Sequence, residues 1–171
     1  LLFGAFVLIL VWAMPWVSPL IAPGFDEQAL TLMTHLSRIM LLAQFFLALS
    51  MVFGSALQGA KRFFFYSLAP IFYNVGIIIG IVFFTGSLGV AGVAWGVVLG
   101  AFLHFFTQWV GMRILGFRYR TKIVFFDKDI AYTFKHMLPR VLGLAVSQIN
   151  FIFMTVLASL LAAGSVTVLQ F

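Results

Sequence analysis

Leu138–Val166, which reads LPRVLGLAVSQINFIFMTVLASLLAAGSV, is the stretch that decides the fold. Apart from Arg140 near its start it carries no charge, and it is longer than the roughly 20 helical residues that cross a bilayer. Polar residues lie inside it, among them Ser147, Gln148 and Asn150. Because a polar group in lipid costs free energy unless a partner satisfies it, this span needs polar surroundings on one side.

A helical projection of this stretch, at roughly 100° per residue, separates two faces. The apolar face holds Leu142, Val146, Ile149, Phe153, Val156, Leu157 and Leu160. The opposite face carries Arg140, Gly143, Ser147, Ala158, Ala162 and Ser165, flanked by Gln148, Asn150 and Thr155. Two interpretations stay open. The polar face lines a water-filled cavity, or its small and polar residues hold helices together.

Composition places the chain among polytopic α-helical membrane proteins. Of its 171 residues, 64% are hydrophobic and 8% are charged, and its long unbroken apolar runs differ from the alternating pattern of a transmembrane barrel. The chain has no cysteine, and His35, His104 and His136 lie in three separate segments without metal-ligand spacing. We therefore predict an all-α fold that holds no metal and no cofactor.

Five transmembrane helices are predicted, joined by loops whose charge alternates. The first four cover approximately residues 1–22, 29–58, 67–84 and 90–114, and the fifth is the stretch quoted above. The connections 23–28 and 85–89 lack basic residues, whereas 59–66 and 113–139 concentrate them. The positive-inside rule then places Leu1 and both basic loops in the cytoplasm. It also assigns the net charge of +6 to membrane orientation rather than to nucleic acid.

Three residues inside the spans are singled out, and the first of them has two interpretations. Arg38 either snorkels to the outer interface or meets an anionic ligand entering from outside. Pro70 falls in the first turns of the third span, where its missing N–H costs little. Asn74 follows one turn later and is typical of a helix–helix contact.

In the second basic loop, Lys128–Met137 is predicted as a short amphipathic helix near the membrane surface.

The fourth span carries a packing stripe of small residues. Gly92, Gly96 and Gly100 are spaced four apart, and His104 and Gln108 continue on the same face toward the inner end. None of the predicted spans contains Asp or Glu. This stretch therefore supplies no intramembrane carboxylate for a coupling proton or cation, and no carboxylate pair for hydrolysis or sugar transfer.

An ordered set of short motifs resembles the MurJ/MviN family of lipid II flippases. The motifs are Ala22-Pro23-Gly24-Phe25, Gly54-Ser55-Ala56-Leu57-Gln58 with Arg62-Phe63, Ala69-Pro70 with Asn74, Met137-Leu138-Pro139-Arg140, Gly143, Ser147-Gln148-Ile149-Asn150 and Ala158-Ser159-Leu160-Leu161 with Gly164-Ser165-Val166. The resemblance covers essentially the whole chain. It implies an internal fragment that contains about the third to seventh helices of a larger transporter of the MOP superfamily.

The resemblance also implies a domain division. Residues 1–112 would complete the N-terminal lobe, 113–139 would form the basic cytoplasmic loop, and 140–171 would begin the C-terminal lobe. It implies a monomeric flippase, not an enzyme, in the bacterial plasma membrane. Its partners would be membrane lipids and the undecaprenyl-linked peptidoglycan precursor, moved by alternating access.

The functional residues that follow fall into two sets. The cavity-lining set is Arg140, Ser147, Gln148, Asn150 and Thr167. The structural or gating set is Pro23, Gly24, Pro70, Asn74 and Arg38. Two alternatives stay open: a related MOP exporter (an O-antigen or polysaccharide flippase, or a multidrug antiporter), and a non-transporting membrane scaffold.

Overall fold

The computed structural model describes residues 2–117 and 128–160. Side chains are described over residues 3–117 and 132–160. The helices are α1 (Leu2–Ile21), α2 (Glu27–Gly59), α3 (Phe63–Ile79), α4 (Thr85–Leu88), α5 (Val90–Ile114) and α6 (Lys128–Ser159), with a π-helical turn over Gly80–Phe84. Within the described ranges, five helical segments are long and apolar enough to cross a membrane. The predicted all-α, polytopic membrane architecture is confirmed.

The connection predicted over residues 85–89 is wrong, because the helix continues to Leu88. The π-helical turn joins α3 to α4, and the Thr85 hydroxyl donates to the Gly80 carbonyl at 3.3 Å. Only Gly89 leaves the helical conformation, with φ 56° and ψ −137°. A positive φ is readily available to glycine, so the chain reverses there in a single residue.

The separate amphipathic helix predicted over Lys128–Met137 is also wrong. Helix α6 continues without a break from Lys128 through Pro139 to Ser159. Pro139 removes the one N–H that would bond to the carbonyl of Lys135, while the bonds on either side persist. Of the basic loop expected over 113–139, residues 113–114 belong to α5 and 128–139 to α6, and 118–127 lie outside the described residues.

The chain divides into two compact units, of which the first comprises residues 1–15 and 31–118. In this unit α5 packs antiparallel to α3 through glycines. A Cβ added at Gly76 would collide with the backbone of Gly100, and one added at Gly80 would collide with that of Gly96. The predicted packing role of the small-residue stripe is confirmed, since only glycine lets the two backbones approach so closely.

Helix α2 packs against another face of α5 in the first unit. The buried core joins Ile39 and Ala43 of α2 to Ala94, Val98 and Ala101 of α5. The contacts of α2 with α5 advance in the same direction along both helices, from Ser50–His104 to Gly54–Gln108, so these helices run parallel. The ends of α2 and α5 and the start of α3 therefore lie at one end of the unit, where the sequence places Lys61, Arg62 and Arg113.

The second unit comprises residues 16–30 and 119–171. In its first segment, the Asp26 carboxylate accepts a hydrogen bond from the Ala29 N–H at 2.8 Å and caps the start of α2. A Cβ at Gly24 would collide with the backbone carbonyl of Ser159. Ala158 and Ser159 are both buried, so the turn before α2 packs closely against the end of α6.

Candidate functional site

The predicted cavity face lies on α6. Arg140, Ser147, Gln148 and Asn150 are all exposed on this helix, and none of them forms a hydrogen bond or ion pair with another residue of the described chain. Thr167 lies outside the described residues. Within the described residues, four polar side chains on one membrane-length helix thus have no protein partner.

Other polar residues of α6 behave differently. The Thr155 hydroxyl donates to the Phe151 carbonyl at 2.9 Å, and the Ser159 hydroxyl donates to the Val156 carbonyl at 2.7 Å. Such hydroxyls are satisfied by their own helix and tolerate an apolar environment. The contrast separates Ser147 from Thr155 and Ser159, although all three are hydroxyl residues in the same span.

Arg38 of α2 has a partner that the sequence did not indicate. Its Nε donates to the carbonyl of Val11 in α1 at 3.0 Å. In an α-helix this carbonyl would accept from the N–H of residue 15, but Pro15 has none. The guanidinium therefore satisfies a carbonyl that the proline leaves free, and it does so in the first unit, at a half-buried position.

The other residues of the predicted gating set lie at helix surfaces. Pro23 is exposed in the turn after α1. Pro70 is the eighth residue of α3, deeper than the first turns expected from the sequence. Asn74 is exposed one turn later and has no hydrogen-bond partner within residues 2–117 and 128–160. A free amide in a membrane-length helix is a group that requires a polar partner.

A buried polar cluster in the first unit escaped the sequence analysis. The Ser50 hydroxyl of α2 and the His104 Nδ1 of α5 share a hydrogen bond of 2.6 Å, and the edge of the His104 ring meets Tyr73 of α3 at 6.3 Å between centroids. One turn further along, Gln108 is 1% exposed. Its Oε1 has no partner within the described residues and lies against Gly54.

This cluster corrects the assignment of His104 and Gln108 to the glycine face of α5. Residues four apart advance by about 400°, so a four-residue stripe turns about 40° at each step. Gly92 and Gly96 face residues 76–85 of the α3 segment, whereas His104 and Gln108 have turned toward Ser50 and α2. The signal that could have revealed the pairing is that Ser50 and Gly54 have the same four-residue spacing as His104 and Gln108.

The described residues of the site offer hydrogen-bonding groups and one cationic group. Within residues 2–117 and 128–160, no three His, Asp or Glu side chains are grouped so that they could hold a metal ion. Membrane-length helices, a glycine-packed pair and a helix with free polar groups together define a polytopic α-helical membrane protein.

Comparison with known proteins identifies the family. The family model described as Lipid II flippase MurJ matches residues 1–171, and the chain therefore belongs to that family. It is 33% identical over 150 residues to the probable lipid II flippase MurJ of Buchnera aphidicola subsp. Schizaphis graminum. The aligned region covers 85% of this chain and 29% of that protein.

Two further relatives carry the same name. The probable lipid II flippase MurJ of Borreliella burgdorferi is 32% identical over 124 residues, covering 72% of this chain and 24% of the relative. The lipid II flippase MurJ of Burkholderia cenocepacia is 28% identical over 162 residues, covering 89% and 31% respectively. The chain thus spans 24–31% of the length of these curated relatives.

Proposed function

We propose that the protein to which this chain belongs is a flippase for lipid II, the undecaprenyl-linked peptidoglycan precursor. The observation that carries the proposal is the match of the MurJ family model to all 171 residues. The free polar groups on α6 support it, because a transported headgroup needs such groups along its path. Translocation makes and breaks no covalent bond, so the protein acts as a transporter and not as an enzyme.

The roles of the cavity residues follow from their chemistry. Arg140 supplies a permanent positive charge that pairs with the phosphate groups of the precursor. Ser147, Gln148 and Asn150 exchange hydrogen bonds with its sugar hydroxyls and peptide amides. Thr167, which lies outside the described residues, is proposed as a member of the same lining. Because these groups already lack partners in the described chain, ligand binding does not have to break existing hydrogen bonds.

A gating role is proposed for the second set. Gly24 allows the turn before α2 to approach α6 closely, and Pro23 fixes the backbone beside it. Arg38 holds the helix interrupted by Pro15, while Pro70 leaves the Tyr66 carbonyl of α3 without its helical donor. We place the boundary between the two lobes of the transporter in residues 113–139, with 1–112 before it and 140–171 after it. The lobes would rock against each other to alternate access.

Location and assembly form part of the same proposal. The protein would reside in the bacterial plasma membrane as a monomer surrounded by membrane lipids. The alternation of basic and non-basic loops predicts that the turn at Gly24 faces outward and Lys122 faces the cytoplasm. Single cysteines at these two positions should react with an impermeant thiol reagent from opposite sides of the membrane.

Genetic complementation tests the function directly. The full-length protein should restore growth and precursor export to a bacterial strain depleted of its own lipid II flippase. The double variant Ser147→Leu, Asn150→Leu should lose most of this activity, because leucine removes the hydrogen-bonding groups. The matched control Val146→Leu, Phe153→Leu, which alters the apolar face of α6, should retain it at equal expression.

The alternatives predict other outcomes in the same strain. An O-antigen or polysaccharide exporter would leave precursor export unrestored but would support export of its own lipid-linked polysaccharide. A multidrug antiporter would raise drug resistance, and a scaffold would do neither. Full activity in the double leucine variant would remove Ser147 and Asn150 from the transport path.

A further inference from the structure

An apolar groove of about 310 Å³ lies between α3 and α5 in the first unit. It is lined by Phe65, Leu68, Phe72, Leu103, Phe106, Thr107 and Val110. The one polar side chain, Thr107, donates its hydroxyl to the Leu103 carbonyl at 2.8 Å. The groove therefore offers no free hydrogen-bonding group from its lining, and the occupant it suits is a hydrocarbon chain.

The length of the groove indicates what kind of chain fits. From Phe65 to Phe72 the helix rises about 10 Å at 1.5 Å per residue. One leaflet of the hydrocarbon core is about 15 Å thick. The groove thus accommodates most of one acyl chain within a single leaflet, whereas a much longer polyprenyl chain would extend far beyond it.

Positive charge is concentrated at one end of the groove. Arg62 precedes the lining residue Phe65 by one turn, and Arg113 follows the lining residue Val110 by one turn. A Cβ at Gly111 would press against the Phe65 ring, which brings this end of α5 level with the start of α3. Both arginines therefore lie at the end of the groove that the loop charges assign to the cytoplasmic side.

Arg113 lies beside an aromatic ring. Its guanidinium carbon lies over the Trp109 ring at 5.1 Å from the centroid. A cation–π contact of this kind does not use up the N–H donors, which can still bind oxygen acceptors. Neither Arg62 nor Arg113 has an ion pair with any residue in the described ranges.

We propose that this groove is a binding site for one anionic phospholipid of the cytoplasmic leaflet. One acyl chain lies between α3 and α5, and the phosphate pairs with Arg62 and Arg113. The lipid stabilises the cytoplasmic end of the α3–α5 pair, which does not include α6, the helix that carries the proposed transport face. The site is independent of what the protein transports.

Lipid binding to the purified full-length protein tests the charged end of the site. Native mass spectrometry would compare phosphatidylglycerol with phosphatidylcholine of the same acyl chains. Two interfacial arginines should favour phosphatidylglycerol by roughly 30-fold, and the variant Arg62→Gln, Arg113→Gln should abolish this preference. Lys135→Gln, a charge removed from the exposed surface of α6, is the control and should leave the preference intact.

A second pair of variants tests the groove itself. Leu68→Trp fills the groove and should weaken binding of both lipids, whereas Val82→Trp adds the same bulk at an exposed position of the π-helical turn and should not. An unchanged phosphatidylglycerol preference in the double arginine variant would overturn the proposal. So would normal binding in Leu68→Trp, or displacement of phosphatidylglycerol from this site by equimolar undecaprenyl phosphate.

Discussion

The packed helices α2, α3 and α5 of the first unit and helix α6 of the second place the same residue types in different environments. Between α3 and α5, Gly76 and Gly80 touch glycines of the facing backbone, whereas a Cβ at Gly143 of α6 would meet nothing within 4 Å. Buried Ser50 is hydrogen-bonded to His104 across two helices, whereas Ser147 is exposed and has no partner in the described chain. The first region is packed within this chain, and the second keeps its polar groups for another contact.

The largest effect should come from closing the space between the glycines. Gly76→Ala places a methyl group against the backbone of Gly100, which cannot move without shifting a helix, and should lower the free energy of unfolding by about 3 kcal/mol. Gly143→Ala is the matched control and should change it little. Thermal unfolding of both full-length variants in detergent measures the difference. Equal stabilities would show that the close contact does not set the packing of this pair.

Arg38 should come next. Arg38→Met leaves the Val11 carbonyl without its donor and should cost about 1–2 kcal/mol. Pro15→Ala restores the N–H that this carbonyl lacks, so Arg38→Met should cost much less in the Pro15→Ala background. A double-mutant cycle of unfolding free energies measures the coupling. Additive effects of the two changes would contradict the account of why arginine is needed at this position.

A smaller effect separates the two serines. Ser50→Ala removes the partner of His104 and should cost about 1 kcal/mol, within the range found for hydrogen bonds between membrane helices. Ser147→Ala should leave stability unchanged while reducing precursor export. The reverse result would contradict this distinction. Ser147→Ala would then lower stability, Ser50→Ala would reduce only precursor export, and Ser147 would be the structural residue.

Gly54→Ala should have the smallest effect. Its Cβ would approach the Gln108 side-chain Oε1 at 2.9 Å, and a side-chain amide can rotate away where a backbone cannot. The helix also gains from replacing glycine, so the net change should lie within about 0.5 kcal/mol of zero. A loss as large as that of Gly76→Ala would show that the Gln108 amide is held rigidly.

Local patterns account for what the sequence could predict. Long apolar runs identify the five spans because helix length and hydropathy are properties of consecutive residues. The four-residue spacing of glycines predicted the α5 packing face. In the structure, this face packs against Gly76 and Gly80 of the α3 segment. Free polar groups on α6 follow from the same kind of pattern, although their role in transport remains the proposal above.

Contacts between distant residues account for what it missed. Arg38 and Val11 meet because two helices are antiparallel, and Ser50 and His104 meet because two others are parallel. Neither pairing register can be determined from the residues of one helix alone. The continuation of α6 through Pro139 was missed for another reason. A single proline removes one hydrogen bond, and a helix with intact turns on both sides can retain its direction.

In the function that we propose, the polar flank of α6 faces a hydrophilic chamber that receives the precursor. Single cysteines at Ser147 and Val146, in an otherwise cysteine-free full-length protein, test it through reaction with a water-soluble maleimide. We expect labelling at position 147, protection there when lipid II is added, and little labelling at position 146. Rapid labelling at 146 with none at 147, or labelling at 147 that lipid II does not reduce, would contradict the account.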